Sequence, residues 1–477
     1  MTLSSGFKSR SPLWLSLGFF FATLALHIPF AVFDAFGEQD AARIALAAQY
    51  GNLTGRLSLA GQWPFSTPGY IHLLYQALRH HWISGEDIVF VMAAASVVSS
   101  ALFSAAFFLF TFNITLSLPV AMVMTLLVQL CPFFWLSSLY GFPTLVAVCL
   151  FMVSVCLFQW ALSKASTARI TGIVLSVLLF FSSVLCKVDT VTAAALFCLP
   201  LWQTRHALRQ KIVGAIGLAM MAIAAFYLLN RYGVTLSRYE QAAKSWDDWT
   251  DSFYRGIGAL FTAKNIEIIS RAAGALSLPL AFAGAALAMR SKEDRTIAVW
   301  TLMTIIPITL FWSMMAGNSA RHNLIPAIFA TIPMALPLRF LERWSRWGWG
   351  AALLLVCTVN YFFWPPTAST VKPSGRLIAS ARELEARLAI QNADARRIPR
   401  MPHDRILVDI PNHLIPIYSF EAFVAPHLEF IKKGGGRIHL EDRATGKRKI
   451  LYYPNSKRKR KALEEAKKIG YKIVRRR

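Results

Sequence analysis

Residues 88–112 read IVFVMAAASVVSSALFSAAFFLFTF, twenty-five positions without one Asp, Glu, Lys or Arg. A second stretch, residues 142–162, reads FPTLVAVCLFMVSVCLFQWAL and is equally free of charge, and residues 12–33 carry none before Asp34. A hydrocarbon core of roughly 30 Å takes about 20 apolar residues as a helix. In lipid the backbone must satisfy its own hydrogen bonds, so these blocks are read as helices. Composition agrees. The chain is 55% hydrophobic and only 16% charged over 477 residues, whereas a soluble domain carries about 25% charged residues to hydrate its surface. The first block is too long for the apolar part of a signal peptide, and no small-residue cleavage site follows it, so it reads as an anchor.

Extending this reading gives about eleven spans, near 12–33, 87–112, 116–136, 142–162, 169–186, 190–203, 212–230, 272–289, 297–315, 322–338 and 349–365. With the N-terminus cytoplasmic, the inner loops collect Lys164, Arg169, Arg205, Arg209, Lys211, Arg290, Lys292, Arg295, Arg339, Arg343 and Arg346. The short outer connections 137–141, 187–189 and 316–321 hold only Lys187 and Arg321. Positive charge marks the inner side, so count and direction support one another. Two longer outer loops, 34–86 and 231–271, are expected to hold interfacial helices. In 40–50, Ala41, Ile44, Ala45, Ala48 and Gln49 fall on one mostly apolar helical face.

The expected organisation is an all-α polytopic membrane domain, residues 1–366, followed by a small soluble C-terminal domain of α/β type, residues 367–477. The latter carries 26 basic and 11 acidic residues. Residues 376–392 and 457–468 read as helices, and 406–410, 437–440 and 472–474 as strands. An odd number of spans places this domain outside the cytoplasm. Gly434-Gly435-Gly436 is a turn, since no helix-opening Lys-Ser/Thr follows it. Net charge is +25, but no nucleic-acid recognition motif accompanies it, and none is expected as a partner. Cys131, Cys149, Cys156, Cys186, Cys198 and Cys357 all lie in or beside apolar blocks, which suits small core hydrophobes better than a disulfide framework or a zinc site. His80 and His81 are adjacent, point to different sides of a helix and have no spaced partner, so no metal is expected.

The chemistry-bearing residues gather on the outer side. Just past the first span the chain reads Phe33-Asp34-Ala35-Phe36-Gly37-Glu38-Gln39-Asp40-Ala41-Ala42-Arg43. A carboxylate at the start of a helix at Asp40 is held ionised by backbone N–H groups and can take a proton; equally, it can serve only as a cap. Further on come Ser66-Thr67-Pro68-Gly69-Tyr70, then His72. Lys187, in Cys186-Lys187-Val188-Asp189, and Arg321, in Asn318-Ser319-Ala320-Arg321-His322-Asn323, are outer-face cations. Each can be an interfacial anchor or a phosphate partner, with Arg offering a bidentate fork.

Taken in order, Glu38 and Asp40 with Ala42-Arg43-Ile44-Ala45, then Ser66–Tyr70 leading into Leu73-Leu74, then Lys187 before a helix ending in Leu199-Pro200, and Arg321-His322-Asn323 before Leu324-Ile325-Pro326, resemble the membrane-embedded glycosyltransferases of the GT-C fold. These include the protein mannosyltransferases that use dolichyl-phosphate mannose and the bacterial transferases of aminoarabinose or arabinose. The resemblance covers residues 12–365. It implies a hexosyl- or pentosyltransferase in the inner (plasma) membrane that uses a polyprenyl-phosphate sugar, a lipid, glycan or protein acceptor, and no cofactor. It also implies Asp40 as base with Glu38 second, Arg321, Lys187 or Arg43 at the donor phosphate, and Tyr70, His72 and His322 against the substrate. The family shows Asp-Glu or Asp-Asp more often where this chain has Glu-Gln-Asp. The rival from another class is a transporter. Transporters place ionisable residues near the bilayer midplane on broken helices, often in related halves. Here the spans are clean of charge and no internal repeat is seen.

Overall fold

The structure, a computed structural model, describes residues 11–31, 44, 45, 48, 52, 67–83, 87–139, 141–164, 166–203, 208–231, 262–274, 276–314, 320–363, 408–409, 436–442, 448–453 and 471–473. The chain divides into two compact units, Met1–Phe33 with Phe90–Lys372 and Asp34–Val89 with Pro373–Arg477. The first outer loop therefore falls with the C-terminal residues.

All eleven apolar blocks are helical over most of their described length. The α-helices are α1 (Ser11–His27), α2 (Pro68–Arg79), α3 (Ile88–Thr115), α4 (Leu118–Gln129), α5 (Pro132–Leu139), α6 (Pro143–Leu162), α7 (Ser166–Cys186), α8 (Cys198–Gln203), α9 (Leu208–Arg231), α10 (Ala263–Ala273), α11 (Ser277–Ala288), α12 (Lys292–Met314), α13 (Leu324–Ala335) and α14 (Arg343–Phe363). Tighter 3-10 turns occupy Ile28–Phe30, Val188–Phe197, Ala320–Asn323 and Leu336–Arg339. Among the described residues, Ser11–Phe30, Phe90–Thr115, Pro143–Leu162 and Thr167–Cys186 are each long and apolar enough to cross a membrane. The remaining apolar blocks arrive as shorter or interrupted helices, or, in α9, α12 and α14, as helices of 24, 23 and 21 residues that open on charged residues.

Proline explains one interruption. The block at 116–136 is two helices, α4 and α5, set at 63° to one another. Pro132 opens α5; it lacks an N–H and its ring clashes with the preceding turn, so α4 cannot run through it. A second block breaks at Gly274, whose φ of 96° lies where an L side chain is strained, and separates α10 from α11.

Several buried hydroxyls within these apolar helices donate to the chain itself, whereas Ser137 and Ser313 find no partner among the described residues. Ser104 Oγ donates to the Ser100 carbonyl at 2.7 Å, and Thr111 and Thr115 do the same one turn back on α3. Between α6 and α7 the bonds are reciprocal. Ser154 Oγ donates to the Ser176 carbonyl at 2.6 Å and Ser176 Oγ to the Ser154 carbonyl at 2.8 Å. Ser183 Oγ reaches the Ala147 carbonyl at 2.8 Å, so the two helices run antiparallel. Lipid supplies no hydrophobic drive between helices, and such contacts give them register. The other face looks outward. On α9, Ile212, Ile216, Met220 and Ile223 form an exposed stripe at helical spacing. All six cysteines are buried or half-buried.

In the second unit, Ile44, Ala45 and Ala48 are buried, on the face that the spacing in 40–50 marks as apolar. Four strands, β1 (Val408–Asp409), β2 (Gly436–Asp442), β3 (Arg448–Tyr453) and β4 (Tyr471–Ile473), form an antiparallel sheet of order β1-β3-β2-β4. Strand β3 was not expected from the sequence: Arg448-Lys449 opens it, and basic residues hide its Ile450-Leu451-Tyr452-Tyr453 core. The helices expected at 376–392 and 457–468 lie outside the described residues.

Candidate functional site

Lys187 ends α7. Its N–H still reaches back to the Ser183 carbonyl at 2.9 Å, while its own carbonyl accepts from Thr190 Oγ1 at 2.7 Å. There the chain tightens into the 3-10 turn 188–197, longer than such turns usually run. The Lys187 side chain is about nine-tenths buried, and its Nζ lies 3.5 Å from Oδ2 of Asp189, which is equally buried. Desolvating a single ammonium is expensive, and a carboxylate two residues on offsets that.

Arg321 and His322 lie in the turn Ala320–Asn323. His322 is buried and stacks face to face on Trp312 of α12, with ring centroids 3.7 Å apart and planes 8° from parallel. Asn323, also buried, leads into α13. Close by, Thr262 caps α10 by accepting from the Asn265 N–H, and Asn265 Nδ2 donates to the Ser313 carbonyl at 2.7 Å. The C-terminal end of α12 thus gathers polar groups from α10 and from the 320–323 turn.

The segment after Lys187 also packs on α12: both the 3-10 turn 188–197 and α8 lie against it, and Trp202, near the end of α8, meets Trp300 at 5.3 Å.

The opposite end of α12 is an ion-pair staple. Ser291 Oγ accepts from the Asp294 N–H at 3.3 Å and donates to Asp294 Oδ2 at 2.9 Å, closing the helix start. Arg339 forks across Asp294 and Glu293, reaching Glu293 Oε2 at 2.8 Å. Arg290, Lys292 and Arg295 lie here too, so α12 has its basic loop at one end and the Arg321 turn at the other.

Tyr70 and His72 lie on α2. Tyr70 is buried with Ile71 and Leu74, whereas His72 is exposed and its Nε2 lies 3.2 Å from Gln76 Nε2. Two residues apart on a helix they face different ways. Glu38, Asp40 and Arg43 lie outside the described residues, as does most of loop 231–271. Residues to which the sequence reading gave no role are Asp189, Trp312 and Asn265. Asp189 was legible as a carboxylate two places from a cation. Nothing local marks Trp312, because an aromatic at a span end reads as an interfacial anchor.

No family model and no curated protein matches the chain. Solved structures similar to it include two of one protein. One is ArnT from Cupriavidus metallidurans bound to undecaprenyl phosphate, 13% identical, with 81% of this chain and 70% of that chain covered and a TM-score of 0.49. The other is the same protein in the apo state, again 13% identical over 81% and 70%, with a TM-score of 0.47.

Proposed function

We propose that this chain is an inner-membrane glycosyltransferase of the GT-C kind that moves a sugar from a polyprenyl-phosphate donor to an envelope acceptor at the outer face. The observation that supports the reading is a buried cation, Lys187, held by Asp189 where α7 gives way to the 3-10 turn 188–197, with the Arg321 turn and its His322–Trp312 stack at the opposite end of α12 from the Asp294–Arg339 staple.

The chemistry follows from the charges. An acceptor hydroxyl attacks the anomeric carbon while a carboxylate removes its proton. The C1–O bond to the lipid phosphate breaks, the electron pair stays with the phosphate, and the sugar inverts. The leaving group needs positive charge beside it. Asp40 is the proposed base, with Glu38 second; Arg321 and Lys187 steady the departing phosphate, with Arg43 a further candidate. Asp189 holds the buried Lys187 ammonium in place until the phosphate arrives. His322, stacked on Trp312, and Tyr70 and His72 of the first loop are proposed substrate contacts.

The test is incubation of the purified protein, in nanodiscs, with a panel of polyprenyl-phosphate sugars, following loss of the lipid-linked donor. Consumption that requires acceptor supports the reading. No consumption of any donor, together with solute flux in proteoliposomes lacking lipid-linked sugar, would replace it with a transporter.

A further inference from the structure

The C-terminal residues hold a charge that the transfer reaction does not use. Residues 432–477 contain 18 Lys and Arg against Glu441, Asp442, Glu464 and Glu465. That is a net +14 of the chain's +25 in about a tenth of its length. Strands β2, β3 and β4 run through this segment.

Register sorts the residues of these strands. Cross-strand partners share a face and successive residues alternate. Ile438 pairs with Leu451, and Leu440 with Lys449 and Ile473, which makes one face mainly apolar. Arg437 pairs with Tyr452, and Glu441 with Arg448 and Lys472. By register the second set holds Arg437, Arg448 and Lys472 with His439, Tyr452 and one acid, Glu441, around two aliphatic positions, Ile450 and Val408. The run Lys457-Arg458-Lys459-Arg460-Lys461 lies between β3 and β4, and Arg475-Arg476-Arg477 follows β4.

We propose that this basic unit is a docking surface for anionic phospholipid headgroups of the membrane in which the chain is embedded. Charge complementarity is the first argument: cations near an anionic bilayer are attracted individually and cumulatively. Tethering is the second. The sheet is joined to α14, which ends at Phe363, by residues 364–407, so it is never far from a bilayer surface, and binding to that surface is intramolecular in effect. A soluble polyanion has no such advantage. The cations and tyrosines suit an interface, where Tyr sits at headgroup level beside Lys and Arg. The inference does not depend on the transfer reaction or on which side of the membrane the tail occupies.

The test uses the full chain in nanodiscs, with Asn455→Cys labelled by a membrane-impermeant fluorophore and energy transfer measured to headgroup-labelled lipid. The native thiols lie in or beside the membrane-spanning helices, buried or half-buried. Transfer is expected to rise when phosphatidylglycerol is mixed into phosphatidylcholine. It should fall back as salt goes from ~0.1 M to ~1 M and the screening length shrinks from ~10 Å to ~3 Å. Replacing Lys457, Arg458, Lys459, Arg460 and Lys461 by Gln should weaken the lipid-dependent rise by about tenfold or more. Arg437→Gln with Arg448→Gln and Lys472→Gln tests the sheet face separately, and should also weaken it. Equal transfer in neutral and anionic discs overturns the proposal. So does a response only to added polyphosphate or RNA in neutral discs, which would assign the patch to a soluble polyanion.

Discussion

At Gly284 the backbones of two helices of the membrane body meet without room for a side chain, and substituting it tests the packing that holds the Arg321 turn. A Cβ built at Gly284 of α11 would lie 2.1 Å from the Pro333 carbonyl oxygen of α13, 2.9 Å from its carbonyl carbon and 3.3 Å from the Trp349 ring. Ordinary contact begins near 3.4 Å, so Ala at 284 must push α11 and α13 apart by more than an ångström. The obstacle is backbone and cannot rotate away. Trp349 adds resistance, because its Nε1 donates to the Met334 carbonyl at 2.7 Å and ties α14 to the same turn.

A gap of that width forfeits a quarter to a half of each contact well along the interface, and overpacking of this kind costs about 1–3 kcal/mol, sometimes more. Helix propensity returns about 1 kcal/mol on exchanging Gly for Ala. The net expectation for Gly284→Ala is a loss of up to about 2 kcal/mol, read as a fall in melting temperature of roughly 2 °C in detergent for a chain of this size, and a larger fall for Gly284→Val. Gly217 and Gly348 are internal controls: nothing lies within 4 Å of an added Cβ at either, so Ala there should leave the melting temperature unchanged or raise it. Helix α13 starts directly after Asn323, so the displaced helix carries the Arg321 turn with it, and donor use should fall along with stability. If Gly284→Ala melts with wild type while Gly217→Ala behaves as predicted, the α11–α13 approach is not as drawn.

Four further outcomes are expected. Asp40→Asn should abolish sugar transfer while the protein still inserts and melts normally; full activity would remove Asp40 from the mechanism. Arg321→Ala should reduce use of the lipid-phosphate donor by about two orders of magnitude, the scale of one strong charge-assisted contact to a developing charge, and unchanged donor kinetics would leave Arg321 an anchor only. Arg339→Ala should destabilise by about 3 kcal/mol, because it strands the Asp294 carboxylate, 3% exposed, without its cation. Glu293→Gln, at a 70% exposed side chain, should lose less than about 1 kcal/mol, and thermal melts of both separate the two partners. Ser154→Ala and Ser176→Ala each remove one half of a reciprocal pair, and each should lose about 0.6 kcal/mol, with the double variant losing less than the sum if the bonds support one another.

Hydropathy gave the positions of the helices well and their continuity poorly, for a physical reason. The expected span 142–162 is α6 to within a residue, and 212–230 sits inside α9, because membrane insertion rewards apolarity and little else. Interruptions depend on backbone chemistry that an apolarity average does not register. The missing N–H of Pro132 divides the block read at 116–136, and the positive φ of Gly274 cuts the start from the block read at 272–289; the 3-10 geometry of 188–197 begins at a connection the sequence did mark, but its tight winding left no trace in the apolarity of 190–203. The same limit applied to the site. Lys187 and Arg321 stood out as the only cations in the short outer connections. Trp312 and Asn265 did not, because their role comes from which helix ends meet, and that is a tertiary fact.

The geometry of α12 turns the topology argument into a constraint on chemistry. Positive charge on one side of a membrane protein orients it, and Arg290, Lys292, Arg295 and Arg339 gather at the start of α12. The Arg321 turn packs at the other end, where His322 stacks on Trp312. A buried Lys187 held by Asp189, and a His322 stacked on Trp312 beside Arg321, are expensive to maintain at a span end if anchoring is their only task, since exposed cations anchor as well. A replacement that keeps fold and insertion but not charge, Lys187→Met together with Asp189→Leu, separates the two uses. Apolar residues of similar volume should hold or improve thermal stability, because a buried ion pair is weak as a stabiliser. If the pair serves a departing phosphate, donor turnover should collapse in the same stable protein. If turnover persists, the pair is structural and the proposed phosphate site loses one of its two supports.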